Sequence, residues 1–185
     1  FTSSTGLTSP VQQSVIGHGY SGGKNLDPSI QLGDGFGYSV ALDGTRMAAG
    51  AIGDDGSGDG ITDAGAVYLL TFSDTAFSSP TQGGTVGVGY ITGNDVNISL
   101  DSNDRLGKAV GLGTQSLYVG APEDDGSGGS GSSNYGAVYK IDFSDASMNG
   151  GTLYGTAGRN YVGATDINIS LSSSALFGRA VGVDG

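Results

Sequence analysis

Residues 36–42 read FGYSVAL, residues 106–112 read LGKAVGL, and residues 177–183 read FGRAVGV. The second copy follows the first at an offset of 70 residues, and the third follows the second at 71. A fixed period of this length indicates tandem structural units, each packing on its neighbours. The sequence therefore predicts a repeat protein.

Two further motifs share this spacing. GAVY occupies residues 65–68 and 136–139, and VNISL at 96–100 recurs as INISL at 167–171. The repeat predicts four segments in one continuous array: the end of a preceding repeat at 1–31, full repeats at 32–101 and 102–172, and the start of a following repeat at 173–185. The chain begins at Phe1 without Met, so we expect it to be part of a larger chain or of a homo-oligomer.

Within a repeat, short apolar runs alternate with turn signals, which is typical of strands. Val40 and Leu42 alternate with small residues, and Asp43-Gly44 predicts a two-residue hairpin. Further strands are expected, with counterparts in the second repeat, at 46–51, 66–72, 86–91 and 96–100. Helical periodicity and caps are missing from the sequence. We therefore predict an all-β fold of tandem antiparallel four- to five-stranded sheets, each of about 70 residues, because that is the repeat length.

One such sheet has two faces and cannot bury both of them alone. Stacking the sheets does so, either radially like β-propeller blades or linearly as a stack of β units. Both arrangements stay open at this point.

Composition limits the classes of partner. The chain of 185 residues has 37 glycines, no cysteine, and 18 acids against 7 bases, for a net charge of −11. So acidic a surface repels nucleic acids and anionic membranes. Apolar stretches stay shorter than the roughly 18 residues that a membrane span needs. We expect neither nucleic-acid binding nor membrane insertion.

The order of three motifs resembles FG-GAP repeats: Phe36-Gly37, then Val119-Gly120-Ala121-Pro122, then Gly136-Ala137-Val138-Tyr139. FG-GAP repeats build the β-propeller of integrin α subunits and occur in large bacterial secreted proteins. The resemblance covers nearly the whole chain. It implies a propeller-blade fold and a role in extracellular adhesion, recognition or scaffolding, with no particular ligand.

Two features depart from the integrin pattern. The integrin calcium loop lies between the first two strands of a blade, whereas residues 42–45 leave only a short turn there, so those ligands do not carry over. Fewer than three repeats are present, and closed propellers have about four to eight blades. We expect that this chain does not close by itself.

The acidic, glycine-rich loop before each GAVY motif is the candidate metal site. Its candidate ligands are Asp54, Asp55, Asp59 and Asp63 in the first full repeat and Asp124, Asp125 and Asn134 in the second. Calcium takes about six to eight oxygen ligands from a flexible loop, and glycine lets carbonyls turn inward. The alternative is a solvated turn whose Asp side chains form Asx-turns. Calcium is thus the candidate cofactor.

Other conspicuous residues have simpler interpretations. Tyr20, Tyr90 and Tyr161 recur in phase and are expected to pack between blades, with stacking on sugars as the alternative. Asn97 and Asn168 open N-glycosylation sequons, although strand alternation with Asn and Ser outward explains them as well. His18 is the single histidine, and no recognisable set of a nucleophile and an orienting acid accompanies it in the sequence, so a surface position is expected.

Catalytic residues are not expected, because the acid pairs recur in each repeat. We predict a non-enzymatic extracellular repeat module for cell-surface adhesion or matrix scaffolding, stabilised by calcium. One alternative is a self-assembling filament or tubule subunit completed by strands from neighbouring copies. The other is a carbohydrate-binding module. The expected partners are other protein copies or a cell-surface protein or glycan.

Overall fold

The computed structural model describes residues 12–129, 131 and 133–184. Residues 1–11, which form part of the segment predicted at 1–31, lie outside the described residues, as do Ser130, Ser132 and Gly185. The described part of the chain consists of strands, turns and loops and has no helix, which confirms the all-β prediction. It therefore contains no helix that could cross a bilayer.

In the part of the chain that the structure describes, ten strands form two five-stranded sheets, one for each full repeat. Sheet I contains β1 (Phe36–Asp43), β2 (Arg46–Ala51), β3 (Ala66–Thr71), β4 (Thr81–Gly87) and β5 (Val96–Asn97). Sheet II contains β6 (Ala109–Leu112), β7 (Ser116–Ala121), β8 (Ala137–Asp142), β9 (Thr152–Gly158) and β10 (Ile167–Asn168). The sheets are open and blade-like, and their strands follow one another in chain order.

Three of the four pairings in each sheet are antiparallel, and the last is parallel. The expected strand at 86–91 was wrong: β4 ends at Gly87, and a turn with Gly89 at a φ of 76° follows. The carboxylate of Asp95 accepts a hydrogen bond from the Thr85 amide at 2.8 Å, which returns the chain alongside β4. The returning strand therefore runs in the same direction as β4, and the sheets are mixed rather than purely antiparallel.

The first hairpin forms at the expected place. Asp43 pairs with Arg46, so the two loop residues are Gly44 and Thr45. Gly44 has a φ of 58°, which suits glycine at the first loop position of a tight hairpin. In the predicted dipeptide, Asp43 is thus the last residue of β1 and Gly44 is the first residue of the turn.

Sheet II packs on sheet I through two glycines. A Cβ atom at Gly50 in β2 would collide with the carbonyl of Gly107, which precedes β6. The same collision recurs one repeat later between Gly120 in β7 and Gly178. Backbone meets backbone at both junctions, so only glycine fits. This contact explains physically why the Phe/Leu-Gly pair of one unit and the Gly-Ala pair of the preceding unit recur together.

One hydrophobic core spans the two sheets. It joins apolar side chains of sheet I with those of sheet II, among them Leu69, Val86 and Val96 with Leu117, Ile141 and Met148. Arg46, which is 8% exposed, adds a polar clasp by donating to the carbonyls of Gly113 and Thr114 at 3.2 and 2.7 Å. The repeats therefore share this core, and the first unit has in addition a smaller cluster of its own, formed by Ile30, Ala51, Ala66 and Tyr68.

Candidate functional site

A cavity lies beside the acidic loop of each unit, between this loop and the segment that precedes the first strand. In sheet I its volume is about 200 Å³, and its lining includes Ser29, Asp34, Asp54, Asp55, Asp59 and Tyr90. In sheet II it is about 120 Å³, with Asp101, Asp104, Asp124, Asp125 and Tyr161 in the lining. The two cavities occupy equivalent positions in the repeat, so the candidate site is built twice.

Asp54 is a buried, fully hydrogen-bonded carboxylate in the wall of the first cavity. It is 2% exposed and accepts hydrogen bonds from the hydroxyls of Tyr68 at 2.8 Å and Tyr90 at 3.0 Å. The amide of Gly56 donates to it at 2.9 Å. Both carboxylate oxygens are therefore occupied by donors from the sheet and the loop. Burial beside this carboxylate raises the pKa of both tyrosines well above the usual value, so they stay protonated donors.

Asp124 repeats this arrangement in the second unit. It accepts from the hydroxyls of Tyr139 at 2.6 Å and Tyr161 at 2.9 Å, and from the amide of Gly126 at 2.7 Å. Burial raises the pKa of Asp124, and the hydrogen bonds oppose that rise. We call each group of one aspartate and two tyrosines a Tyr–Asp–Tyr node: it ties the acidic loop to its own sheet.

The other predicted ligands shape the loop. Asp55 accepts a hydrogen bond from the amide of Asp63 at 2.7 Å, and Asp125 does the same for Asn134 at 2.8 Å. Asp63 and Asn134 have φ angles of 50° and 47°, in the left-handed region that Asp and Asn tolerate best after glycine. Asp59, also left-handed, accepts from the Gln31 side chain at 2.6 Å. The Asx-turns of the alternative interpretation are made by Asp54 and Asp124, which accept from the amides two residues on, at Gly56 and Gly126.

Sequence reasoning missed two acids. Asp34 and Asp104 stand 70 residues apart and are 8% and 4% exposed. Asp104 accepts from the amide of Asp101 at 2.7 Å, and Asp34 from that of Gln31 at 2.5 Å. Burial, assisted by the charges of Asp124, Asp101 and Asp125, raises the pKa of Asp104 to about 7. The sequence did contain a signal for these two acids, because Asp34 and Asp104 occupy the same position in successive repeats.

The cavities do not form a ready metal centre. Across the ranges that the structure describes, no group of three or more His, Cys, Asp or Glu side chains lies close enough together to hold an ion. Asp54 and Asp124 already accept three donors each. Calcium binding at these cavities therefore stays a prediction.

The remaining candidates occupy ordinary positions. Tyr90 and Tyr161 donate their hydroxyls to a buried carboxylate of their own unit, and the Tyr161 side chain also packs against the core shared by the two sheets. Packing of these tyrosines between blades stays a prediction. Tyr20 is 50% exposed. The Asn97 and Asn168 side chains are exposed and accept from the amides of Gly89 and Asn160, and the His18 side chain is exposed near Asp27.

Comparison with known proteins identifies one family. Residues 30–70, which contain β1, β2 and all but the last residue of β3, match the FG-GAP repeat, and this match confirms the resemblance drawn from the motifs. FG-GAP repeats are generally non-enzymatic structural modules that typically occur outside the cell. The chain matches no curated protein.

Proposed function

We propose that this chain, which carries an FG-GAP repeat at residues 30–70, is a non-enzymatic extracellular repeat module for cell-surface adhesion or matrix scaffolding. One observation carries the proposal: the residues that recur between units serve packing and loop anchorage. Gly50 and Gly120 admit the next unit, and Asp54 and Asp124 tie down the acidic loop. Repetition of such contacts supports an array that presents surface rather than a single reaction centre.

The Tyr–Asp–Tyr nodes argue against the acidic loops as hydrolytic sites. A general acid or base needs an oxygen free to exchange a proton with the substrate. Asp54 accepts two tyrosine hydroxyls and an amide, so its carboxylate is committed within the unit. The same tyrosine hydroxyls are turned inward, which weakens the case for sugar stacking in the carbohydrate-binding alternative.

Labelling of intact cells tests the location. Lys24 is exposed, so a membrane-impermeant amine reagent should label the chain on intact cells of the producing organism as strongly as after lysis. Labelling only after lysis would overturn the proposal. A glycan array and a glycoside hydrolysis screen complete the test: turnover abolished by Asp54→Asn would contradict the non-enzymatic assignment, and saturable glycan binding would favour the carbohydrate-binding alternative.

Calcium is a separate part of the proposal. Bound calcium would stabilise the folded chain by mass action, so the melting temperature should be higher in millimolar calcium than in EDTA. The double variant Asp55→Asn/Asp125→Asn should lose this shift, because these carboxylates line the two cavities. Identical melting curves in calcium and EDTA would remove calcium from the proposal and leave the structural role intact.

A further inference from the structure

The front of sheet I and the back of sheet II are equivalent to the two surfaces that meet between the sheets. Sheet I presents a front hollow of about 430 Å³, which lies between residues 12–14 and 16 of the preceding segment and the side chains of Leu42, Met47, Phe72 and Phe77. Sheet II presents a back hollow of about 240 Å³, lined by the sheet residues Tyr118, Val138, Lys140, Tyr154 and Ile167 and by Phe177 of the following segment. Both hollows are lined mainly by apolar atoms.

Inside the chain, the counterparts of the front hollow are covered. Leu112, Leu117, Phe143 and Met148 occupy the equivalent positions in sheet II, and all four belong to the core shared with sheet I. The exposed fraction falls from 52% at Leu42 to 9% at its counterpart Leu112. The front of a unit is therefore a surface that packs on the back of another.

The back hollow shows the same relation in reverse. Its counterparts in sheet I include Ala48, Leu69 and Val96, and all three are buried in the shared core. Val96 is 4% exposed where sheet II covers it, whereas its counterpart Ile167 is 63% exposed. The lower exposed fraction of Val96 is therefore due to the unit that packs on it, and Ile167 lacks such cover among the described residues.

We propose that a second copy of this chain docks its front hollow on the back hollow of the first, in the geometry of the internal interface. The two surfaces differ, so the contact is head-to-tail and can continue from copy to copy. This inference goes beyond the proposed function and does not depend on where the protein is located.

Two segments must give way. Residues 177–183 lie against sheet II in the place that β1 of the docking copy would take. The Phe177 amide donates to the Tyr135 carbonyl at 3.0 Å, and residues 180–183 belong to no strand ladder within the described chain. Residues 12–27 lie where β9 and β10 of the first copy would fit. Among the described residues, one hydrogen bond joins them to the sheet, from Ser14 Oγ to the Phe77 carbonyl at 3.2 Å.

The chain has no cysteine, which permits a position-specific crosslinking test. Inside the chain, Asn94 and Asn149 meet across the interface, with Nδ2 and Oδ1 2.9 Å apart. The counterpart of Asn94 is Thr165: the carbonyl of Thr165 lies close to Gly155, as that of Asn94 lies close to Gly84. The counterpart of Asn149 is Ser78: the carbonyl of Ser78 accepts from the Ser73 amide, as that of Asn149 accepts from the Ser144 amide. The docked pair would therefore bring Thr165 of one copy next to Ser78 of the other.

Mixing Ser78→Cys with Thr165→Cys chains and adding a short bismaleimide should give a crosslinked dimer whose yield rises with concentration. Each variant alone should give none, because the contact is head-to-tail. The double variant Asn94→Cys/Asn149→Cys is the positive control and should link within one chain. If this control links while the mixture stays monomeric up to millimolar concentration, the proposal is overturned. Equal linking by one variant alone would also overturn it.

A charge placed in the front hollow separates specific docking from chance collision. Leu42→Asp in the Ser78→Cys chain should abolish the crosslinked dimer, and Val40→Asp should act similarly because Val40 is 51% exposed on the same strand. Ile91→Asp is the matched control: its counterpart Val162 is 80% exposed even though sheet I covers the front of sheet II, so this position lies off the interface. Loss of the dimer in all three variants would contradict docking through the hollow.

Discussion

Substitution of Gly50 by alanine adds one methyl group where the two sheets meet. The new Cβ would collide with the carbonyl of Gly107 and would crowd Ser39 Oγ. Because the opposing atom is backbone, the junction has to open. Overpacking of this kind costs about 1–3 kcal/mol. Displacing Gly107 also loses the hydrogen bond that its carbonyl accepts from Ser39 Oγ at 2.6 Å, which is worth about 1 kcal/mol.

The expected loss for Gly50→Ala is therefore about 2–4 kcal/mol in the free energy of unfolding. For a chain of this size, 1 kcal/mol shifts the melting temperature by about 2–4 °C, so the total should be roughly 5–15 °C. Thermal unfolding followed by circular dichroism, with urea titration for the free energy, measures both quantities.

Gly83→Ala is the matched control. Gly83 lies in β4, its φ is not in the left-handed region, and the nearest atom to a new Cβ is the Leu69 carbonyl oxygen at 3.7 Å. Tyr154 occupies the equivalent position in β9. Alanine should fit here and raise stability by about 0.4–1 kcal/mol by restricting the unfolded chain. Equal effects of the two substitutions would refute the close-approach argument.

Three further predictions concern other contacts. Arg46→Ala should lower the free energy of unfolding by about 1.5–3 kcal/mol, because two carbonyls of the neighbouring unit lose a charged donor. Tyr161→Phe should lower it by about 1–3 kcal/mol, because it removes a donor to a buried carboxylate. The pKa of Asp104, raised to about 7 by burial, makes the folded state bind a proton more tightly than the unfolded state. Stability should therefore fall as the pH rises from about 4 to 7, and Asp104→Asn should flatten that part of the profile.

Each has a control. Lys24→Ala removes a cation from an exposed site, and Tyr38→Phe removes a hydroxyl from a side chain that is 54% exposed; both should leave urea unfolding nearly unchanged. For the pH profile, Asp74→Asn is suitable, because the pKa of Asp74 is lowered by hydrogen bonds rather than raised. Burial also raises the pKa of Asp34 and Asp124, so part of the slope should remain; a slope between pH 4 and 7 that is unchanged in Asp104→Asn would contradict the assignment to Asp104.

Local patterns predicted much of the fold. The strand at 46–51 and the hairpin at Gly44 follow from β-propensity and turn chemistry, and both lie where expected. The parallel strand β5 could not be predicted in the same way. It has two residues, and its direction is set by Asp95, whose carboxylate bonds to Thr85 ten residues earlier. An aspartate in a turn looks the same in sequence whether or not it makes that bond.

The candidate site was predicted in part. The acidic loops were recognisable by composition, but the sequence does not show which oxygens already have donors. In the sequence, Asp54 cannot be distinguished from the other three candidate aspartates of its loop. In the fold it differs from them, because the hydroxyls of Tyr68, 14 residues away, and Tyr90, 36 residues away, lie within hydrogen-bond distance of it. The repeat register contained the missing information, because Asp34, Asp54 and Tyr90 each recur in phase in the second unit.

The segment between the two sheets leaves no slack. The amide of Ile98 donates to the Gly87 carbonyl at 3.1 Å, and the amides of Asn103 and Leu106 donate to Thr62 and Ala64 at 2.9 and 2.8 Å. Hydrogen bonds to the first unit thus hold the connecting segment at both of its ends. A pulling force applied to one sheet would therefore be transmitted to the next without first extending a flexible linker, so successive repeats would bear the force together.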